Sequence, residues 1–386
     1  MKSKLIKVVL LLFVICLLFT GCLTSTLGVE QTIVIQSVGI DFDFKKGEYE
    51  VTMQCFDLSN TSAKGEIQGG KNSKIITAKG KSVEQAIMNT SKITGENPIY
   101  SQNRVIILGE SILKNGIDKG FDVFVRDYRT RSSTPVAVAR NFKAGDIVKA
   151  DEKGLTAFPA NTLQHVLESG EINSLTTEVT VMEFVNLCQE KTSSAYIPAL
   201  SLEKKDDGIY AKINGMGIIN DQKLVGFLSS DETRAMLWVI NKIESGTILL
   251  ENSSIGIATL EISASKTKTE TKITKDGLLQ YNIKIDCSLD LMEVDFRKEC
   301  ALDEKEIITL ESEASNYIEK EVEKVIKKCL NEYKSDPFRF GKRLWVKSPE
   351  SYRHLNKEWD EFLPNIKTNV SAEVKIRRVG RYGVKE

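Results

Sequence analysis

The sequence predicts a multi-domain α+β protein with mixed or antiparallel sheets, packed helices, and a long C-terminal helix against a sheet. The first supporting observation is a hairpin pattern, in which apolar and polar residues alternate from Tyr49 to Cys55 after a Lys46-Gly47 turn. The second is a stripe of apolar residues at three- and four-residue spacing between positions 303 and 333. The third is strict alternation from Ile366 to Ile376, which indicates a strand with one buried face.

The chain begins with the parts of a bacterial lipoprotein signal. A lysine-containing start is followed by an apolar stretch from Val8 to Phe19, and then by Gly21 and Cys22. The apolar stretch is shorter than the ~20 residues that a membrane-spanning helix needs. We therefore expect residues 1–21 to be a removed signal peptide and the Cys22 thiol to carry the lipid. An uncleaved or ordinary signal peptide with an incidental cysteine is the alternative.

Strand and helix patterns alternate through the first half of the mature chain. Ser82 and Thr180 each begin a capping box that predicts the start of a helix. A loop is predicted at 59–73. The other predicted elements are strands at Lys74–Ala78, Arg104–Leu108 and Thr134–Arg140, and helices at Ser111–Arg126, Ala144–Ala150 and Asn161–Glu168. Because the first strands form hairpins, the pattern favours mixed α+β over a doubly wound sheet.

A charged stretch, Glu203–Gly208, is predicted to separate an N-terminal region (22–202) from a C-terminal domain (209–382). The second part is predicted to contain strands at 209–220, 224–228, 247–250, 255–264 and 278–290, and a helix at 230–242. A helix from Asp303 to Tyr333 would be ~45 Å long. Glu321 interrupts its heptad pattern, so packing on the chain's own sheet is favoured over a coiled-coil dimer.

The sequence contains no convincing catalytic, metal or cofactor motif. Its 53 basic and 53 acidic residues balance, which argues against a nucleic-acid-binding protein. The two histidines, His165 and His354, have no partner at a metal-binding spacing. Gly80-Lys81-Ser82 lacks the first glycine of a phosphate-binding loop, because Ile75 stands there. We therefore expect a binding or scaffolding protein, with no enzymatic activity and no cofactor.

Two basic clusters are the candidate partner-binding surfaces. The first contains Arg126, Arg129 and Arg131, for which a solvated turn between a helix and a strand is the alternative. The second contains Arg339 and Arg343 among aromatic residues, which could instead pack in the core below the long helix.

Short motifs in a fixed order resemble the C subunit of bacterial spore germinant receptors, the Ger(x)C lipoprotein family, over nearly the whole mature chain. They include Val38-Gly39-Ile40-Asp41, Arg104–Glu110, Arg126–Arg131, Gly215–Ile218, Lys223–Leu228, Glu232–Trp238, Ser265–Lys268, Asp336–Gly341, Trp359–Phe362 and Val374–Gly380. One departure follows Cys22, where Leu23-Thr24-Ser25-Thr26 replaces the Trp-Asp-x-Arg-Glu of many members.

This resemblance implies a lipid-anchored subunit on the outer face of the inner spore membrane. Its partners would be two integral-membrane receptor subunits, of the A and B types, and the complex would trigger germination in response to nutrients. The family has no established catalytic residues. The alternative function is a lipid-anchored extracellular solute-binding protein.

Overall fold

The computed structural model describes residues 32–56, 73–127, 129–150, 159–206, 208–274, 278–295, 302–356 and 358–380. The predicted signal peptide, Cys22 and nearly all of the predicted loop at 59–73 lie outside these residues. The strands are β1 Thr32–Asp43, β2 Glu48–Phe56, β3 Ser73–Gly80, β4 Asn97–Ile99, β5 Val105–Gly109, β6 Val136–Ala139, β7 Ala195–Lys205, β8 Gly208–Asn220, β9 Lys223–Leu228, β10 Thr247–Ser253, β11 Gly256–Ile273, β12 Leu279–Val294 and β13 Lys367–Arg378. The helices are α1 Val83–Met88, α2 Ser91–Thr94, α3 Glu110–Asn115, α4 Asp118–Arg126, α5 Ala144–Lys149, α6 Pro159–Ile172, α7 Val181–Gln189, α8 Ser230–Val239, α9 Glu304–Lys327, α10 Phe340–Lys347, α11 Pro349–Leu355 and α12 Trp359–Phe362.

The first sheet has nine strands in the described chain and is mixed. Its order is β3-β2-β1-β5-β6-β7-β8-β9, with the short β4 also beside β1. The pairs β1/β5, β5/β6 and β6/β7 are parallel, whereas the hairpins on both flanks are antiparallel. The predicted mixed α+β fold is therefore confirmed.

The first hairpin forms as the sequence predicts. Gly47 occupies a left-handed conformation with φ of 59°, and its N–H donates a 2.8 Å hydrogen bond to the Asp43 carbonyl oxygen. Glycine reaches this conformation without the steric cost of a Cβ atom. The alternating side chains of β2 then meet those of β1 in antiparallel register.

Parts of the first sheet and of its helices differ from the sequence predictions. The predicted helix Ser111–Arg126 is two helices, α3 and α4, because the chain turns at Gly116, where φ is 100°. Strand β7 was not predicted at all. The charged stretch 203–208 forms the hairpin end between β7 and β8, so both flanking strands belong to one sheet.

The second sheet has the order β10-β11-β12-β13, with β12 and β13 parallel. The predicted long helix is confirmed as α9, which begins with a capping box between Asp303 and Glu306. Its apolar stripe is buried against this sheet. At its C-terminal end the helix widens into one π-helical turn, Lys328–Glu332.

Helix α8 lies between the two sheets and joins their interiors. Its residues from Thr233 to Val239 are all buried, and those from Ala235 to Val239 form one apolar cluster with residues of both sheets. Lys328 strengthens this junction, because its ammonium lies 2.8 Å from a carboxylate oxygen of Glu232 at the start of α8. Both sheets therefore pack on a shared core.

The outer edge of β13 is closed by carboxylates from α9. Glu319 accepts a 2.8 Å hydrogen bond from the Ala372 N–H, and Glu311 accepts a 2.9 Å bond from the Ile376 N–H. These bonds occupy donors that an edge strand would otherwise offer to another chain.

Within the residues that the structure describes, no helix is long and apolar enough to cross a bilayer.

Candidate functional site: the strand-start end of the first sheet

Strands β1, β5, β6 and β7 are parallel and begin at the same end of the first sheet, which we call the strand-start end. Val38 of β1 is level with Ile106 of β5, which is level with Val136 of β6. Val138 of β6 is in turn level with Ala199 of β7. The segments that precede these strands therefore meet at this end. The first arginine cluster lies in the segment before β6, and the turn that carries the second cluster packs on the segment that leads into β7.

Arg129, of the first cluster, is held in place by its neighbours. Its guanidinium lies 4.8 Å from the centre of the Tyr100 ring, and its Nε donates a 2.9 Å bond to Asp127 Oδ1. The hydrogen bond from Arg129 is the main reason why the pKa of Asp127 lies below its ordinary value. Arg129 thus holds the connection between α4 and β6 against the residues that follow β4.

The other two arginines of this cluster are more exposed. Arg126 forms a 2.6 Å ion pair with Asp122 one helical turn earlier, and Arg131 donates a 3.1 Å bond to Gln102. Arg126 retains 79% of its side-chain exposure, so it is accessible to a partner.

The second cluster is positioned by the buried carboxylate of Asp336. Asp336 accepts hydrogen bonds from the N–H groups of Phe338 (3.2 Å) and Gly341 (2.9 Å), and its own N–H donates to Ser194 just before β7. Burial raises the pKa of Asp336 to about 7, against the lowering effect of the N–H donors. The turn that begins α10 is thereby fixed to the strand-start end.

Gly341 allows this close approach. A Cβ atom at this position would lie 2.5 Å from the carbonyl oxygen of Thr192. The glycine of the Asp336–Gly341 motif is therefore needed where α10 packs on the segment leading into β7.

A basic groove of about 890 Å³ lies between α10 and β11. Its cationic lining residues are Lys272, Arg339, Lys342, Arg343 and Lys347. Glu190 lies close to two of them, 2.7 Å from the Lys342 ammonium and 3.5 Å from the Arg339 guanidinium. Arg339 and Arg343 were predicted from the sequence, whereas Lys272 and Lys347 were not. Only the folded chain brings Lys272 beside the arginines. The short spacing of cations along α10 is the signal that could have identified Lys347.

A second groove, of about 820 Å³, lies at the opposite end of the parallel strands. Asp41 on its floor is buried, which raises the carboxyl pKa, and accepts 3.0 Å bonds from the Ala144 and Gly145 N–H groups. The neighbouring Gly39 has no room for a side chain, because a Cβ atom would lie 2.7 Å from the Ala144 backbone. The Val38–Asp41 motif therefore holds α5 against β1.

None of the described residues forms a cluster of three or more groups suited to holding a metal ion. The acidic residues Glu50 and Glu110 of the second groove are both paired, with Lys143 at 3.3 Å and Lys114 at 2.8 Å respectively. Glu50 and Glu110 are therefore already neutralised by lysines in the second groove.

Comparisons with known proteins place this architecture in a family. Residues 28–202 match the family model described as the spore germination protein N-terminal domain, and residues 214–380 match the one described as spore germination B3/GerAC like, C-terminal. Among curated proteins, spore germination protein B3 of Bacillus subtilis (strain 168) is 26% identical, covering 92% of this chain and 93% of that protein. The spore germination protein GerQC of Bacillus cereus is 25% identical, covering 84% of this chain and 88% of that protein.

A solved structure agrees with the sequence comparisons. The crystal structure of the GerBC protein superposes with a TM-score of 0.59 at 25% identity, covering 88% of this chain and 96% of that chain. Together the two family matches extend over most of the sequence in the order that the motifs predicted. The chain therefore belongs to the germinant receptor C-subunit family, and its role is in spore germination.

Proposed function

We propose that the chain is a lipid-anchored subunit of a nutrient germinant receptor at the inner spore membrane. In this proposal, the Cys22 lipid holds it on the outer face, where it associates with two integral-membrane subunits of the A and B types. The observation that carries the proposal is the pair of family matches, which follow in order from residue 28, six positions after Cys22. A diacyl anchor would supply stable attachment without a spanning helix.

The exposed arginines at the strand-start end support an action by association. Arg126 and Arg131 lie at the surface there, and Arg339 and Arg343 line the basic groove. We propose these four, together with Arg129, as part of the surface that faces the membrane and the two membrane subunits, and we propose that the chain works without catalysis.

Gene deletion and complementation test this function. In a sporulating host whose paralogous genes are also deleted, loss of this gene should abolish ion release in response to at least one germinant mixture. Complementation with the wild-type gene should restore the response, and the complementing protein should co-purify with the two membrane subunits. An unchanged response to every mixture, in spores that contain no paralogue, would contradict the proposal.

A lipid-anchored solute-binding protein is the second candidate. The groove of about 820 Å³ favours it, because ligands of open α/β sheets bind at the carboxyl ends of parallel strands. A ligand that binds only the folded state raises the melting temperature. A strong stabilisation of the purified protein by one amino acid, sugar or nucleoside, with no loss of germination on gene deletion, would favour this candidate over the receptor subunit.

A further inference from the structure

We propose that α10, together with Lys272 of β11, contacts anionic lipid headgroups and sets the orientation of the anchored protein on the membrane. This surface, the α10 face, consists of Lys272, Arg339, Lys342, Arg343, Trp345, Val346 and Lys347. The inference deepens the proposed function and rests on the lipid anchor at Cys22.

The α10 face carries an excess of positive charge. Five cations line the groove, and Glu270 is the one acidic residue among the described residues that line it. Glu190 lies behind Arg339 and Lys342, and the charge of Asp336 acts on Arg343. Five cations thus face three carboxyl groups, so positive charge remains in excess even when all three are ionised. Clusters of Lys and Arg beside a membrane attachment point are typical of binding to anionic lipids.

Two exposed apolar side chains lie next to these cations. Trp345 is 53% exposed and Val346 is 75% exposed, and both lie on α10. Tryptophan is enriched at membrane–water interfaces, where its ring lies at the level of the headgroups. A short helix with cations and an exposed tryptophan has the composition of an interfacial segment.

The α10 face also lies close to the proposed anchor. Gly341 packs on Thr192, just before β7, and the described chain leaves β1 at Thr32 from the same end of the sheet. Strands β1 and β7 are three positions apart, which corresponds to about 14 Å at the usual strand spacing. The ten residue steps from Cys22 to Thr32 span at most about 35 Å. A lipid on Cys22 therefore holds the α10 face within reach of the bilayer.

The charge, the exposed apolar side chains and the position of the α10 face favour the membrane over an acidic protein as the occupant. The anchor fixes the position of the bilayer, and the α10 face combines charge with exposed apolar side chains in the way that a headgroup layer accommodates. Because the lipid anchor already binds the protein to the membrane, we expect the α10 contact to change the orientation of the protein on the bilayer. A test must therefore measure the environment of α10.

Tryptophan fluorescence provides such a test, because the three tryptophans differ sharply in exposure. Trp238 and Trp359 are only 1% and 3% exposed, so Trp345 is the one that lipid can reach. Full-length lipidated protein would be placed in bilayer nanodiscs with brominated acyl chains, composed of phosphatidylcholine alone or with phosphatidylglycerol. We expect about twofold stronger quenching in the discs with anionic lipid, since the cations draw α10 to the surface.

Matched variants identify the residues responsible. Trp345→Phe should remove the quenched component, and the double variant Lys272→Glu, Lys347→Glu should lose the dependence on anionic lipid. The control is Lys45→Glu, Lys46→Glu, which makes the same charge change in the exposed β1–β2 turn at the opposite end of the sheet. This control should be quenched like the wild type.

Three results would overturn the inference. The first is equal quenching in both kinds of disc, and the second is unchanged quenching in the Lys272, Lys347 double variant. The third is shielding of Trp345 only after the two membrane subunits are added, which would assign the α10 face to a protein interface. If the protein lacks the lipid or fails to co-purify with the discs, the anchor of the proposed function fails as well. Protein that is on the disc with Trp345 unquenched contradicts this inference alone.

Discussion

The ring of Tyr333 lies directly against the backbone of Gly226, and the Tyr333 hydroxyl donates a 2.9 Å hydrogen bond to the carbonyl oxygen of Phe227. This contact joins the residue that follows the π-helical turn to β9, the last strand of the first sheet. Single π-helical turns in long helices often occur at functional sites. Here the turn contains Lys328, whose ammonium forms an ion pair with Glu232 of α8.

Gly226→Ala should destabilise the protein, because the new methyl group would overlap the Tyr333 ring. Overpacking of this kind costs about 1–3 kcal/mol in the free energy of unfolding. Urea denaturation followed by circular dichroism measures the change. Gly208→Ala is the matched control, since its methyl group would be in ordinary contact with Tyr210, at 3.5 Å. Equal stability of the two variants would contradict the packing described for Tyr333.

Asp336 should make stability depend on pH. The carboxyl has a folded pKa of about 7, above the ordinary value of 3.8, because the group is buried. A carboxyl with a raised pKa contributes stability below its unfolded pKa and loses it as pH rises through the folded pKa. The free energy of unfolding of the wild type, relative to Asp336→Asn, should therefore fall between about pH 4 and about pH 7.

Denaturant titrations of both proteins at pH 5 and pH 8 measure this difference. The exposed Asp206 provides a control, since Asp206→Asn should follow the wild type at both pH values. If the free energy of unfolding of the wild type, relative to that of Asp336→Asn, is higher at pH 8 than at pH 5, the prediction is wrong. The folded protein would then favour the carboxylate.

Buried cysteines should resist alkylation until the protein unfolds. Burial raises the pKa of the Cys55 and Cys287 thiols to about 12, and it raises that of Cys329 further. Because the thiolate is the reactive form, iodoacetamide at pH 8 should modify these three at least about tenfold more slowly in the native protein than in urea. Peptide mass spectrometry measures each site. Cys188, which is only partly buried, is the internal comparison, and its reaction should come first.

Cys22→Ala should abolish lipid attachment. Radioactive palmitate supplied to cells should label the wild-type protein and a Cys188→Ala control, whereas Cys22→Ala should remain unlabelled, because only Cys22 follows the signal-like segment. Label on the Cys22→Ala protein would place the lipid elsewhere. An unlabelled wild type that retains residues 1–21 would support an uncleaved signal peptide.

Local chemistry explains what the sequence could predict. Ser82, Thr180 and Asp303 begin the helices expected of them, because each side chain accepts a hydrogen bond from a backbone N–H three residues later. The alternation of β13 was also evident in the sequence, because one face of that strand is exposed to solvent and the other is partly or fully buried.

Other features depend on contacts that the local sequence does not record. Strand β7 is buried on both faces from Ala195 to Ser201, so it lacks alternation, and Pro198 argues against a central strand. The basic groove forms because Lys272 of β11 lies beside α10 in the fold, although the two are far apart in the sequence. The pairing of Lys342 with Glu190 likewise joins positions that are distant in sequence, and only the tertiary fold determines it.

The hairpin between β7 and β8 has a consequence for hybrid subunits made from two relatives. If the two parents are joined at 203–208, β7 comes from one parent and β8 and β9 come from the other. The side chains of the paired strands β7 and β8 would then no longer match. A junction after Leu228 keeps every strand pair of the first sheet within one parent. The exchangeable unit is therefore longer than the N-terminal family match, and hybrid subunits should be assembled from that longer unit.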